Sequence, residues 1–141
     1  MKTIILNIKI KKLIMAIIKN AIQYEALTGR KLGITGEIGE VLVSEKLKLK
    51  LLADPQTAGF DAVKNNMHYQ IKSRRVEHNR GKIGKFSKHK FDYAILAVLD
   101  KNYKIKELYK RRYKDLEPVL RKFKDRNPSF SAFKNIAEKL K

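Results

Sequence analysis

Apolar and polar positions change period near the start of this chain. Ile4, Leu6, Ile8 and Ile10 alternate as in a strand, whereas Ile10, Leu13, Ile14, Ile17, Ile18, Ala21 and Ile22 recur at helical spacing. The second pattern is longer and predicts a helix starting near Thr3 or Lys9 and running to Leu27. Thr28-Gly29 ends it, with Gly29 suited to the left-handed position after the last turn. A second helix is expected over residues 35–50, where Ile34, Ile38, Val41, Leu42 and Leu49 share a face and Thr35 is placed to cap. Glu37 and Glu40 sit side by side on its flank. Glu45 falls on the apolar face and calls for a lysine partner or a rotated helix.

Leu51-Leu52-Ala53 reads as a short strand before the turn signal Asp54-Pro55. Residues 60–64 and 68–76 read as strands joined by a tight turn at Asn65-Asn66, since Asn tolerates positive φ. Residues 77–90 are polar and basic, with Gly81 and Gly84, and read as a loop. Residues 91–99 (FDYAILAVL) are almost continuously apolar, the pattern of a strand buried on both faces. Asp100-Lys101-Asn102 turns the chain into a strand over 103–109. Helices over 116–124 and 130–140 close it, with Pro118 in a first turn and Ser129 or Ser131 as a cap. The order α, α, (β), β, β, β, β, α, α predicts an α/β or α+β domain with a mixed central sheet. One domain over 1–141 is expected, its core at about 33–109, its N-terminal helix at 9–27 and its C-terminal helices at 116–140.

Composition narrows the function. The chain has 141 residues, enough for one core. It contains no cysteine, which excludes disulfides, thiolate metal sites and a cysteine nucleophile. Lysines interrupt the apolar residues 1–21, so no run approaches the ~20 residues of a membrane span, and no signal-type apolar stretch with a cleavage site is present. A cytoplasmic location without membrane insertion is expected, although a basic amphipathic helix of this kind can also lie on a membrane surface. Lys and Arg number 33 against 14 Asp and Glu, a formal net charge of +19. Such a field concentrates polyanions, DNA or RNA first among them. The bland alternative is a lysine-rich solvated surface.

Chemistry gathers around the expected hairpin. Gln70 and Lys72 are two apart and share a sheet face, and counting back through the Asn65-Asn66 turn sets Asp61 opposite Gln70 or its neighbour. Glu40, or Glu37, on the preceding helix adds a carboxylate. Mg²⁺ takes oxygen ligands, and Asp61, the Gln70 amide oxygen, the Ile71 carbonyl and Glu40 form such a set. Lys72 would orient or deprotonate an attacking water, or stabilise developing charge. This combination suits phosphodiester hydrolysis.

These residues resemble the PD-(D/E)XK nuclease superfamily, and within it the Mrr-like restriction endonucleases and Holliday-junction-resolving enzymes. Gly36-Glu37-Ile38-Gly39-Glu40 resembles the helix motif, Gly59-Phe60-Asp61 the Gly-x-Asp segment, and Gln70-Ile71-Lys72 the Gln-x-Lys segment. The resemblance covers about residues 33–75. It implies a restriction-endonuclease-like three-layer core, a Mg²⁺- or Mn²⁺-dependent endonuclease acting on DNA, with RNA as the alternative polymer, and catalytic Glu40, Asp61, Gln70 and Lys72. Related nucleases often form homodimers, and the apolar first helix offers an interface. Gln70 stands where the wider superfamily has an acid, and the helix usual between the Lys strand and the next is not evident.

Ser73-Arg74-Arg75, Arg80, Lys82, Lys85, Lys88 and Lys90 form a basic stretch beside the site. Phosphate clamping by Arg74, Arg75, Arg80, Lys82, Lys85 and Lys88 competes with a simple solvated loop. Phe86 would stack on a base or anchor the loop. Gly81-Lys82-Ile83-Gly84-Lys85 lacks phosphate-loop spacing, and His68, His78 and His89 lack metal-ligand spacing. A non-catalytic nucleic-acid-binding module on the same scaffold is the alternative function.

Overall fold

The computed structural model describes residues 2–75, 81–87 and 91–141. The elements run β1 (Thr3–Ile4), α1 (Ile8–Thr28), α2 (Thr35–Leu47), β2 (Lys50–Leu52), α3 (Pro55–Ala58), β3 (Ala62–Lys64) and β4 (Met67–Arg75). They continue with β5 (Tyr93–Leu99), β6 (Ile105–Arg112), α4 (Tyr113–Leu120), α5 (Phe130–Ile136) and β7 (Glu138–Leu140). The seven strands form one sheet in sequence order. Every neighbouring pair is antiparallel except β4 and β5, which run parallel from Tyr69↔Tyr93 to Arg75↔Leu99. The sheet is therefore mixed, as the sequence predicts.

Local chemistry sets most boundaries. Asn7 caps α1 by accepting from the Ile10 N–H at 3.0 Å, and Gly29 ends it at φ 72 with its N–H on the Glu25 carbonyl. Asn65 and Asn66 both have positive φ, 50 and 62, which gives the two-residue turn that matches strand twist. Ser129 caps α5 through the Ala132 N–H.

Several expectations need correction. Residues 3 and 4 belong to a strand paired with β2, so the first helix begins at Ile8. Ile34 rather than Thr35 holds the N-cap position of α2, and the helix ends at Leu47. Asp54-Pro55 leads into the one-turn helix α3. α4 starts at Tyr113, which puts Pro118 inside the helix instead of its first turn. The chain after α5 leaves the helix at Ala137 and pairs with β6 as an edge strand. Nothing in the local period of that lysine-rich tail separates strand from helix; the partner strand decides.

Two cores flank the sheet. On one face Ile18 and Ala21 of α1 and Ile38 and Val41 of α2 pack on Ile71, Ile95, Ala97 and Leu99. On the other, Leu116, Leu120, Phe130 and Phe133 pack on Ala94, Leu96 and Val98. β5 is thus buried on both sides. The parallel β4–β5 pair requires a crossover. Its described part, residues 81–87, is not helical; Ile83 and Phe86 bury into the second core and the backbone bonds to residues 126–130.

Candidate active site

The site forms where β3 stops one residue short of facing the middle of β4. Ala62 pairs with Tyr69, and the Asp61 N–H donates to the Tyr69 carbonyl at 2.8 Å. Beyond that point β4 has no strand partner on this side. The Asp61 carboxylate takes over, accepting the Ile71 N–H on Oδ2 at 2.7 Å. A strand residue presents its N–H and C=O on the same side, so the Ile71 carbonyl also faces Asp61. The sequence argument that set Asp61 opposite Gln70 holds at this register.

α2 brings Glu40 to the same spot because it packs unusually close to β4. A Cβ built on Gly39 would fall 1.7 Å from Ser73 Oγ and 2.3 Å from its Cβ. Gly39 is therefore a contact glycine, and the next residue, Glu40, projects over the gap beside Asp61. The two carboxyl groups are hydrogen-bonded. Burial, then the charges of Asp61 and Glu37, push Glu40 from 4.5 up to about 8, with Lys72 opposing. Asp61 is also raised, by burial first, while the Ile71 N–H and Lys72 pull it down. Burial lowers Lys72 below the usual lysine value against the attraction of Asp61 and Glu40. Glu40 is the helix carboxylate of the pair, and Glu37 is an exposed neighbour lining the same cleft.

The cleft has a volume of about 580 Å³ and is walled by Glu37, Glu40, Pro55, Gln56, Gly59, Phe60, Asp61, Gln70, Lys72, Lys85, Phe86 and Ser87. It brings all four expected catalytic residues together. Lys72 donates from Nζ to the Lys85 carbonyl at 2.6 Å and sits 5.3 Å from the Phe86 ring centre. Gln70 is nearly buried and spans the cleft floor: Nε2 donates to the Gly59 carbonyl at 2.8 Å, and Oε1 accepts the Ser87 N–H at 3.3 Å. A Glu at this position could not donate to Gly59, which gives a local reason for the amide.

Neither a scan against protein-family models nor a search of curated proteins gives a match. Function is accordingly argued from the cleft. Among the described residues no group of three or more His, Asp or Glu side chains is arranged to hold a metal. The available donors are the two carboxylates of Glu40 and Asp61, the Ile71 carbonyl and any spare lone pair of Gln70 Oε1. Two carboxyl groups sharing a proton in a desolvated cleft fit a divalent cation, which would replace that proton and relieve their repulsion.

The basic residues divide. Lys82 and Lys85 are exposed, and Lys85 lines the cleft. Arg74 donates to the Lys82 carbonyl at 3.1 Å and lies over Phe130, bracing the crossover. Arg75 is placed away from the cleft. Its side chain is only 10% exposed and bonds to Glu25 of α1 at 2.9 Å, the Lys101 carbonyl and the Tyr103 hydroxyl. It ties β4 to α1 and to the β5–β6 turn, so phosphate clamping is not its place in the fold. Arg80 and Lys88 lie outside the described residues, as do His78, His89 and Lys90. Phe86 is an anchor, buried and stacked between Phe91 and Phe133. His68 stacks on Phe60 at 3.9 Å. Gly81 to Lys85 is part of the crossover, and none of the described residues 81–87 is helical. Glu45 finds its lysine in Lys11, at 2.7 Å.

Sequence reasoning missed the second role of the loops. Gly59, Lys85 and Ser87 enter the site through backbone groups, and side-chain identity carries no signal for that.

Proposed function

We propose that this cleft hydrolyses phosphodiester bonds in DNA with Mg²⁺ or Mn²⁺ held by Glu40, Asp61 and the Ile71 carbonyl, on a restriction-endonuclease-like scaffold of the PD-(D/E)XK type. The observation that carries the reading is the Glu40–Asp61 carboxyl pair beside Lys72 in one cleft of a strongly basic chain. A bound cation would supply charge neutralisation at the phosphoryl oxygens and acidify water. Asp61 is pre-aimed by the Ile71 N–H, so once the proton shared with Glu40 is displaced its carboxylate needs little reorganisation to bind. Lys72, with a lowered pKa, is able to take a proton from an attacking water or donate to the phosphate. Its bond to the Lys85 carbonyl fixes the ammonium while leaving further N–H groups to turn into the cleft. Gln70 holds the Gly59 and Ser87 walls at a set distance. Exposed Lys85 at the cleft edge, with exposed Lys82 three residues before it on the crossover, would meet the polymer backbone.

One observation favours a second reading, a nucleic-acid-binding module without turnover: both ends of the Gln70 amide are already engaged, which leaves two side-chain carboxylates for a cation. Incubating supercoiled, single-stranded and branched DNA, and RNA, with protein and Mg²⁺ or Mn²⁺ separates the two. Metal-dependent cleavage of a DNA substrate supports hydrolysis. Salt-sensitive binding with no cleavage under either metal supports the binding module.

A further inference from the structure

A second cavity opens at the end of the sheet where β4 and β5 begin and β6 runs into α4. Its volume is about 540 Å³. Met67, Phe91, Tyr93 and Tyr113 give it apolar walls, and Arg112 and Lys114 line it with charge. Phe91 is buried, the two tyrosines are half-buried and Met67 is 43% exposed. Arg112, its side chain 63% exposed, directs Nε to Asp115 at 3.2 Å, which leaves its terminal amino groups for another acceptor. Lys114 is exposed. The carboxylate on the wall, Asp92, accepts the His68 N–H at 2.7 Å.

This cavity adjoins the cleft. Arg126 donates to the carbonyl of Ser87, on the cleft wall, at 3.3 Å and to the Tyr113 hydroxyl at 2.8 Å. Phe86 of the cleft stacks on Phe91 of the cavity. Met67 precedes Gln70 by three residues on β4, roughly 10 Å. Stacked DNA covers that distance in about three nucleotides.

On the reading of the cleft as a DNA site, we propose that this cavity binds an unpaired nucleotide of the same strand, about three positions from the phosphate in the cleft. Its base lies against Met67, Tyr93 and Tyr113, and its flanking phosphates meet Arg112 and Lys114. Apolar and aromatic walls accept any base, so the site selects the form of the strand and not its sequence. A paired base would have to leave its stack to enter. The substrate class is therefore DNA with a single-stranded segment beside the cleft.

Fluorescence anisotropy without metal, on a labelled single strand of about 16 nucleotides and on the matching duplex, reads binding separately from turnover. The wild type should prefer the single strand by about tenfold. Arg112→Gln/Lys114→Gln should weaken single-strand binding by about tenfold and lower the slope of log affinity against log salt by about 1.4, two phosphates at about 0.7 each. Lys114→Gln alone, at an exposed position, should give about half of that slope change. Met67→Ser should weaken single-strand binding by about threefold with the slope unchanged. Arg121→Gln, which removes a cation at the far end of α4, should stay within about twofold of wild type. A duplex bound as tightly as the single strand, an equal loss for both forms in the double variant, or a loss in Arg121→Gln as large as in Lys114→Gln would each overturn the proposal. Metal-dependent cleavage without strand preference would keep hydrolysis and remove this site; strand preference without cleavage would keep the site and remove hydrolysis.

Discussion

Glu40 holds the proton that a cation would displace, and this has a measurable sign. Its folded value of about 8 lies above its ordinary 4.5, so the folded chain binds that proton more tightly than the unfolded chain. The resulting stability is complete below about pH 4.5 and is lost as pH rises through 8. Asp61 is shifted in the same direction, whereas lowered Lys72 adds stability as pH rises toward its ordinary 10.5. Metal-free protein should therefore lose roughly 5 °C of melting temperature between pH 5 and 8, and Glu40→Gln should flatten that loss, both read by thermal denaturation. Cation binding must remove the proton, so Mn²⁺ affinity should climb up to about tenfold per pH unit below pH 8, as measured by calorimetry with proton release followed in buffers of different ionisation enthalpy. At this same scale, the sequence made Asp61, Gln70 and Lys72 neighbours through strand alternation and a two-residue turn, both local rules. It could not show Arg75 reaching Glu25 or Gln70 reaching Gly59 and Ser87, because those contacts depend on how distant segments pack.

Between elements, the close approach of α2 to β4 positions Glu40, and the crossover positions Lys72. Gly39→Ala would drive a methyl into Ser73 and should cost about 2–3 kcal/mol in chemical denaturation. It should also weaken Mn²⁺ binding, because α2 must lift. Ser73→Gly in the same chain removes the obstructing Oγ and Cβ and should restore part of both. Arg75→Ala should destabilise by roughly 2–4 kcal/mol, since it leaves Glu25 half-buried without its partner. It should leave the salt dependence of DNA binding unchanged, which distinguishes a tie between elements from a phosphate contact. Periodicity located α1, α2 and β5 well, because each buries a regular stripe. It failed at β1 and β7, where two or three residues take their structure from an antiparallel neighbour, and at the crossover, where Ile83 and Phe86 anchor irregular backbone.

The described residues form a seven-stranded mixed sheet between two apolar layers, with a carboxylate-lined cleft where β3 ends beside β4. Among the described residues no helix is long and apolar enough to cross a membrane. The acidic cleft lies in a chain of net charge +19, which attracts a polyanion overall and a cation locally. The charge was legible from composition and the cleft residues from spacing. The shape of the cleft was not, because its floor and rim are backbone groups of Gly59, Lys85 and Ser87.

The central claim is that Asp61 and Lys72 work together in metal-dependent hydrolysis of DNA. Single-turnover cleavage of plasmid DNA with Mn²⁺ tests it most directly, comparing wild type with Asp61→Asn and Lys72→Ala of matched fold and DNA affinity. Cleavage by the wild type that falls by about 10²–10⁴-fold in each variant is the predicted result. Variants that cut as fast as the wild type, or a wild type that binds DNA and never cuts, would contradict it.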